Sequence, residues 1–199
     1  MTLQQNEGFE IPTWKQVYAM LLELAQKIRI DAFSPDIIVG VSRGGWAPAR
    51  VLSDLLENPN MANVKAEFYL GVAETKKTPT ITQSVSTDVV GKTVLVVDDV
   101  SDTGRSLRLV KSHLMKKGVN ELRIATLYYK PWSVTTPDYY EKTTRHWIIF
   151  PWERKEAFRK VAEKFALNGK SAEEASNALT QYGFDSELAD RFLREYSEG

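Results

Sequence analysis

The sequence predicts an α/β fold, a mostly parallel sheet flanked by helices, with a C-terminal helical appendage. Three observations lead there. Short apolar runs alternate with amphipathic helical segments as far as Phe150. One run, Val94, Leu95, Val96 and Val97, is apolar at every position, as a strand covered on both faces must be. After Pro151 the strand signals stop and three amphipathic segments follow.

In chain order, Thr13 with Gln16 three residues on forms a capping box at a helix start, and Val17, Leu21, Leu24 and Ile28 fall on one face of that helix. Residues 36–41 read as a short strand, with Ser42, Arg43, Gly44 and Gly45 as the loop leaving it and residues 46–56 as a helix. Residues 64–70 alternate as a strand. Residues 73–88 are polar and rich in Thr and Ser; they read as a long loop or irregular hairpin and as a candidate lid carrying Lys76 and Lys77. Residues 93–97 form a strand and residues 105–117 a helix that Gly118 stops. Residues 122–128 are a strand, residues 130–144 a loop with Pro131 and Pro137, and residues 147–150 a last short strand. The appendage contains helices near residues 153–167, 171–182 and 186–196; Ser171 with Glu174 makes a second capping box and Gly183 closes the middle helix. The expected division is a first domain of residues 1–153 and a small three-helix extension of residues 154–199.

Composition narrows the function classes. Lys plus Arg and Asp plus Glu each number 26, so the formal net charge is zero, which argues against a general nucleic-acid or membrane-surface binder. The chain has no Cys, which excludes disulfides, thiolate metal sites and Cys nucleophiles and fits a cytoplasmic protein. His113 and His146 are too far apart in sequence to give a metal-ligand spacing. No apolar run approaches the ~20 residues of a membrane span. Residues 1–10 lack the basic and apolar regions of a signal peptide.

The chemistry concentrates in the stretch that follows Val97. Asp98 and Asp99 end the apolar run; at the carboxyl edge of a parallel sheet, where ligands bind, they can accept hydrogen bonds from a vicinal diol or carry Mg²⁺ through water. Asp102, Thr103, Gly104, Arg105 and Ser106 open a helix, and their successive N–H groups and two hydroxyls can wrap a terminal phosphate. The alternative is an ordinary strand–turn–helix with an Asp N-cap.

This stretch resembles the signature of the type I phosphoribosyltransferases, enzymes that use phosphoribosyl pyrophosphate (PRPP). Ile38, Val39, Gly40 and Val41 followed by Ser42, Arg43, Gly44 and Gly45 resemble the pyrophosphate loop of the same family. The likeness is greatest to the bacterial xanthine–guanine enzymes and archaeal purine relatives. It is supported by Thr13–Trp14, by Tyr129 through Trp132, and by the run from Trp147 to Glu153. It covers roughly residues 12–153 and leaves the helical tail unexplained. A family fold, Mg²⁺ as cofactor, PRPP and a purine base as substrates, and a homodimer are what the resemblance implies.

It also implies roles. Asp98 and Asp99 bind the ribose hydroxyls, with Asp99 the main Mg²⁺ partner; Asp102 sits beside the purine N7 and handles its proton. Thr103, Gly104, Arg105 and Ser106 hold the 5-phosphate. Ser42, Arg43, Gly44 and Gly45 hold the pyrophosphate, the Ser42–Arg43 peptide often being cis in the family. Lys130 donates to a 6-oxo group, Trp147 stacks on the purine, Ile148 offers backbone groups, and Glu153 faces the base edge or a second Mg²⁺. The plain alternatives are core packing for Trp147, a solvated loop lysine for Lys130, and a helix-start acid for Glu153. Residues from Ala73 onward do not match the Ser-Tyr lid pattern of some hypoxanthine–guanine enzymes. The expected reaction is purine salvage on a 6-oxopurine. Its rivals are an adenine enzyme on the same scaffold, suggested by the tail, and a PRPP-sensing regulator that binds nucleic acid. A third reading makes the tail, with Tyr182, Gly183 and Phe184 between two short helices, an interaction module.

Overall fold

A computed structural model describes residues 8–69 and 78–198. The elements are β1 (Phe9–Glu10), α1 (Trp14–Ile30), β2 (Ile37–Ser42), α2 (Trp46–Leu55), β3 (Met61–Tyr69), β4 (Thr78–Gln83), β5 (Thr93–Ser101) and α3 (Arg105–Lys116). They continue with β6 (Glu121–Tyr129), β7 (Tyr139–Thr143), β8 (Trp147–Ile148), a 3-10 turn (Pro151–Glu153), α4 (Arg154–Ala166), α5 (Ala172–Gln181) and α6 (Ser186–Ser197). The chain divides into two compact units, one of residues 17–144 and one that joins residues 8–16 to residues 145–198. The expected boundary after residue 153 lies inside the second unit, between the 3-10 turn and α4.

The larger unit is built on a six-stranded sheet of order β4-β3-β2-β5-β6-β7. All neighbours are parallel except the β3–β4 pair. Val94, Leu95, Val96 and Val97 are all buried, so both faces of β5 are covered. On one face Val39, Val41, Val64, Val94 and Val96 form a core with Leu107, Val110 and Leu114 of α3. That packing anchors α3 and so fixes where its N-terminus opens. The Thr13–Gln16 box forms as expected, Thr13 N–H donating to Gln16 Oε1 at 2.8 Å and Gln16 N–H to Thr13 Oγ1 at 3.2 Å. Val17, Leu21, Leu24 and Ile28 of α1 are buried. At the far flank, Lys27 of α1 donates to the Tyr140 carbonyl of β7 at 2.8 Å and pairs with Glu141 at 2.7 Å.

Several expectations need correction. The strand expected over residues 93–97 runs on to Ser101, because β6 continues alongside it, pairing Asp98 with Thr126 and Ser101 with Tyr129. The two carboxylates are therefore part of the strand and do not follow it. Residues 130–144 are not all loop: β7 occupies Tyr139–Thr143. A five-residue edge strand with one apolar face gives little periodicity, and its pairing to β6 decides it. β3 starts at Met61, three residues early, held by its partner β2. Within residues 73–88 the hairpin reading is met by β4, antiparallel to β3; residues 73–77, with Lys76 and Lys77, lie outside the described residues. β8 does not join the main sheet but pairs in parallel with β1, which has no sequence signal at two residues long.

In the smaller unit three helices follow the β1–β8 ribbon. Ile149, Phe158, Val161, Leu179, Phe184 and Ala189 form its core. The Phe158, Phe184 and Phe192 rings lie 6.0–6.4 Å apart. The Ser171–Glu174 box forms, with Ser171 N–H donating to Glu174 Oε2 at 2.8 Å, and Gly183 ends α5 at φ 89°. Among the described residues no helix is long and apolar enough to cross a membrane.

One titratable contact ties the segment after β4 to α3. His113 Nε2 meets Ser84 Oγ at 2.9 Å, and burial, then Lys117 and Lys116, push the imidazole pKa below its usual 6.5. The unfolded chain then binds more protons at this site, so its contribution to stability is present at neutral pH and fades as pH falls through 6.5 and below. Thermal midpoints of wild type and His113→Gln at pH 7.5 and pH 5 test this. Wild type loses more on acidification than the variant does; equal losses would remove the role given to His113.

Candidate active site

Parallel strands bring their carboxyl ends to one edge. β2 and β5 are direct neighbours, with Val39 opposite Val96 and Gly40 opposite Val97. Residues 42–45 therefore leave the end of β2 beside Asp98 and Asp99 of β5. The approach is so close that a Cβ on Gly44 would overlap the Asp99 carboxylate, and one on Gly45 would overlap the Val97 carbonyl. At Gly45 the neighbours are backbone and only glycine fits; at Gly44 any side chain would have to push the carboxylate aside. The Ser42–Arg43 peptide is cis, as the family resemblance implies. Ser42 Oγ accepts the Trp46 indole N–H at 2.6 Å and the Asn63 amide at 3.3 Å, so both hydroxyl lone pairs are engaged and its proton remains to be donated. Neither Trp46 nor Asn63 was singled out from the sequence; a Trp one residue after the Gly pair was the available signal.

Asp98 and Asp99 are half-buried. Burial and the neighbouring Asp99 charge hold the Asp98 carboxyl well above the usual carboxylate range, although its Oδ1 accepts the Asp99 N–H at 3.0 Å. No cluster of three or more metal-ligating side chains occurs among the described residues. Two hard carboxylates suit Mg²⁺, which keeps several waters and takes other oxygens from substrate phosphates.

Residues 102–106 form the turn into α3. Gly104 is its N-cap in the left-handed region, φ 72°, and Asp102 and Arg105 are exposed. Thr103 Oγ1 accepts the Arg105 N–H at 3.4 Å. Residues 133–135 pack against this turn: Val134 N–H donates to the Thr103 carbonyl at 3.1 Å, and Thr135 Oγ1 to the Gly104 carbonyl at 2.8 Å. The buried Ser101 hydroxyl joins them, 2.8 Å from Ser133 Oγ and 2.7 Å from the Thr135 carbonyl. Lys130 is 5% exposed, so it is not a solvated loop lysine; its N–H donates to the Ser101 carbonyl at 3.1 Å and its Nζ lies 5.5 Å from the Trp132 ring centre. The larger unit thus gathers Ser42, Arg43, Gly44, Gly45, Asp98, Asp99, residues 102–106 and Lys130 along one edge.

Trp147, Ile148 and Glu153 belong to the smaller unit. Trp147 is half-buried, tilted against Phe9 at 5.8 Å, with Lys164 Nζ 5.9 Å from its ring centre. Ile148 is buried in β8 opposite Glu10. Glu153 Oε1 accepts the Phe150 N–H at 3.4 Å, a capping role, and lines a cavity of about 930 Å³ with Trp152, Phe158 and Phe192. A second cavity of about 930 Å³ opens at the opposite, amino-terminal edge of the main sheet, between Asp36, Asn60 and Lys92, and holds none of the expected site residues.

Comparison with known proteins gives the family. Residues 10–159 match the model of the phosphoribosyl transferase domain. The chain belongs to the phosphoribosyltransferase family. This phosphoribosyltransferase is 29% identical over 163 residues to the xanthine-guanine phosphoribosyltransferase of Ruegeria sp. (strain TM1040), covering 76% of this chain and 88% of that one. It is 31% identical over 153 residues to the xanthine-guanine phosphoribosyltransferase of Gluconobacter oxydans, covering 75% and 87%. A purine phosphoribosyltransferase from Pyrococcus horikoshii superposes with a TM-score of 0.66 at 40% identity, covering 72% of this chain and 93% of that one.

The Gly44–Asp99 approach is directly testable. Gly44→Ala must displace the carboxylate, and a misplacement of this kind lowers turnover by roughly 10²-fold. Steady-state transferase rates with an unfolding curve for each protein measure it; a Gly44→Ala enzyme with wild-type turnover would contradict the contact.

Proposed function

We propose that this phosphoribosyltransferase transfers the 5-phosphoribosyl group of PRPP to a 6-oxopurine, giving a nucleoside 5-monophosphate and pyrophosphate in purine salvage. The observation that carries the reading is the meeting, at one sheet edge, of the residues 42–45 loop, the Asp98–Asp99 pair and the phosphate-shaped turn at residues 102–106. In the reaction the bond from ribose C1 to a pyrophosphate oxygen breaks, a bond from C1 to a purine nitrogen forms, and the base gives up a proton. PRPP brings its own activated leaving group, so the protein's task is to align, neutralise charge and exclude water.

Each group has a part that follows from its chemistry. The backbone of residues 42–45, the Ser42 proton and Arg43 face the departing pyrophosphate. Asp98 and Asp99 accept from the ribose hydroxyls and favour the positive charge that develops at C1. They are also the residues that would hold Mg²⁺, whose charge would offset that of the pyrophosphate. The N-terminus of α3 takes the 5-phosphate. Asp102, exposed beside it, relays the base proton. Lys130 only donates, so its ammonium suits a 6-oxo acceptor and not the 6-amino group of adenine. The family resemblance assigns Trp147, Ile148 and Glu153 to the purine as well. It extends to a homodimer in the cytoplasm, on the family resemblance.

Rates with hypoxanthine, guanine, xanthine and adenine, each with PRPP and Mg²⁺ and with product mass determined, test it. Turnover is expected with one or more 6-oxopurines and to be at least about tenfold lower with adenine, which leaves the lysine without an acceptor. Preference for adenine would overturn the 6-oxo assignment. Asp102→Asn lowers kcat by about 10²-fold or more with PRPP affinity little changed; a fully active variant would remove the proton role.

A further inference from the structure

The turn that opens α3 is held from behind by residues outside the motif. In a planar trans peptide the C=O and the next N–H point in opposite directions. Val134 N–H holds the Thr103 carbonyl at 3.1 Å, so the Gly104 N–H in the same plane faces away from residues 133–135. The Thr135 hydroxyl holds the Gly104 carbonyl at 2.8 Å, which turns the Arg105 N–H the same way, where its one hydrogen bond among the described residues is the long 3.4 Å bond to Thr103 Oγ1. The Gly104 carbonyl also accepts the Arg108 N–H at 3.0 Å, tying this plane into the first turn of α3. The left-handed Gly104, φ 72°, lets two successive planes present N–H groups to one side, the geometry of an anion nest. No other residue fits there, since a Cβ on Gly104 would overlap Ser133 Oγ and the Thr135 N–H.

We propose that Thr135 is a positioning residue for the 5-phosphate of the sugar substrate: its hydroxyl fixes the Gly104–Arg105 peptide so that the anion-binding N–H groups are aimed before the substrate arrives. The fully buried Ser101 is the anchor of the device, since it holds both Ser133 Oγ and the Thr135 carbonyl from the end of β5. Ser133 Oγ in turn accepts the Thr135 N–H at 3.3 Å and meets its carbonyl at 3.1 Å, which closes a compact loop around that residue. The proposal rests on the sugar-phosphate reading of the preceding section.

Thr135→Val keeps the shape and removes the hydroxyl; Thr135→Ser restores it. Calorimetry with ribose 5-phosphate reads the sugar-phosphate site without the residues 42–45 loop, and calorimetry with inorganic pyrophosphate reads that loop without the turn into α3. Thr135→Val is expected to weaken ribose 5-phosphate and raise the KM for PRPP by about five- to tenfold, the size of one lost hydrogen bond. Pyrophosphate affinity and the KM for the purine stay within about twofold, and Thr135→Ser returns ribose 5-phosphate affinity to near wild type. Unchanged ribose 5-phosphate affinity in Thr135→Val, or equal weakening of both ligands, would overturn the positioning role. Wild-type protein that binds no ribose 5-phosphate would instead overturn the underlying site reading. If Thr135→Val does not fold, Ser133→Ala is measured in the same way: selective weakening of ribose 5-phosphate supports the proposal and its absence overturns it.

Discussion

The site depends on one steric constraint: the backbone at Gly44 lies against the carboxylate of Asp99. Two strands that are far apart in sequence must be immediate neighbours, parallel and in one register for this to occur, and β2 and β5 are. The register follows from burial. With Ile38, Val39, Leu95 and Val96 all fully enclosed, a slip of one residue would exchange the side chains packed on the two covered faces and disrupt both. Core packing thus sets the spacing between the residues 42–45 loop and the Asp98–Asp99 pair.

A second layer of organisation is polar. Ser101, Ser133 and Thr135 form a closed set of hydrogen bonds beneath the turn into α3, and Lys130 is attached to the same strand end through its own N–H. Ser101 is buried and Ser133 and Thr135 are partly so, and a satisfied network of this kind rigidifies the loop that carries it. The network holds residues 133–135 against the turn into α3.

Much of this was legible in the chain. The run from Val94 to Ser106 announces strand, acid pair and helix-opening turn because each feature is local. Both capping boxes, Thr13 with Gln16 and Ser171 with Glu174, are likewise short-range and formed as read. What escaped was non-local. β7 exists because β6 pairs with it, and β1 and β8 exist because they pair with each other. The roles of Ser133 and Thr135 rest on contacts to residues some thirty positions earlier. Trp46 as a donor to Ser42 was closer to hand, four residues away on the first turn of a helix. Lys130 stood out as a base contact, but nothing local distinguishes a buried lysine from a solvated one.

The β7 flank of the sheet has a consequence beyond the site. An outermost strand offers its main chain as a template on which a foreign segment can zip up, the first event in many fibrils. Here the Tyr140 carbonyl is already taken by the Lys27 ammonium, and Glu141 is drawn to the same cation. Lys142, exposed two residues on, places another charge along that rim. A chain with zero net charge has little long-range repulsion to keep its copies apart, so local blocking of this border substitutes for it as a safeguard of solubility.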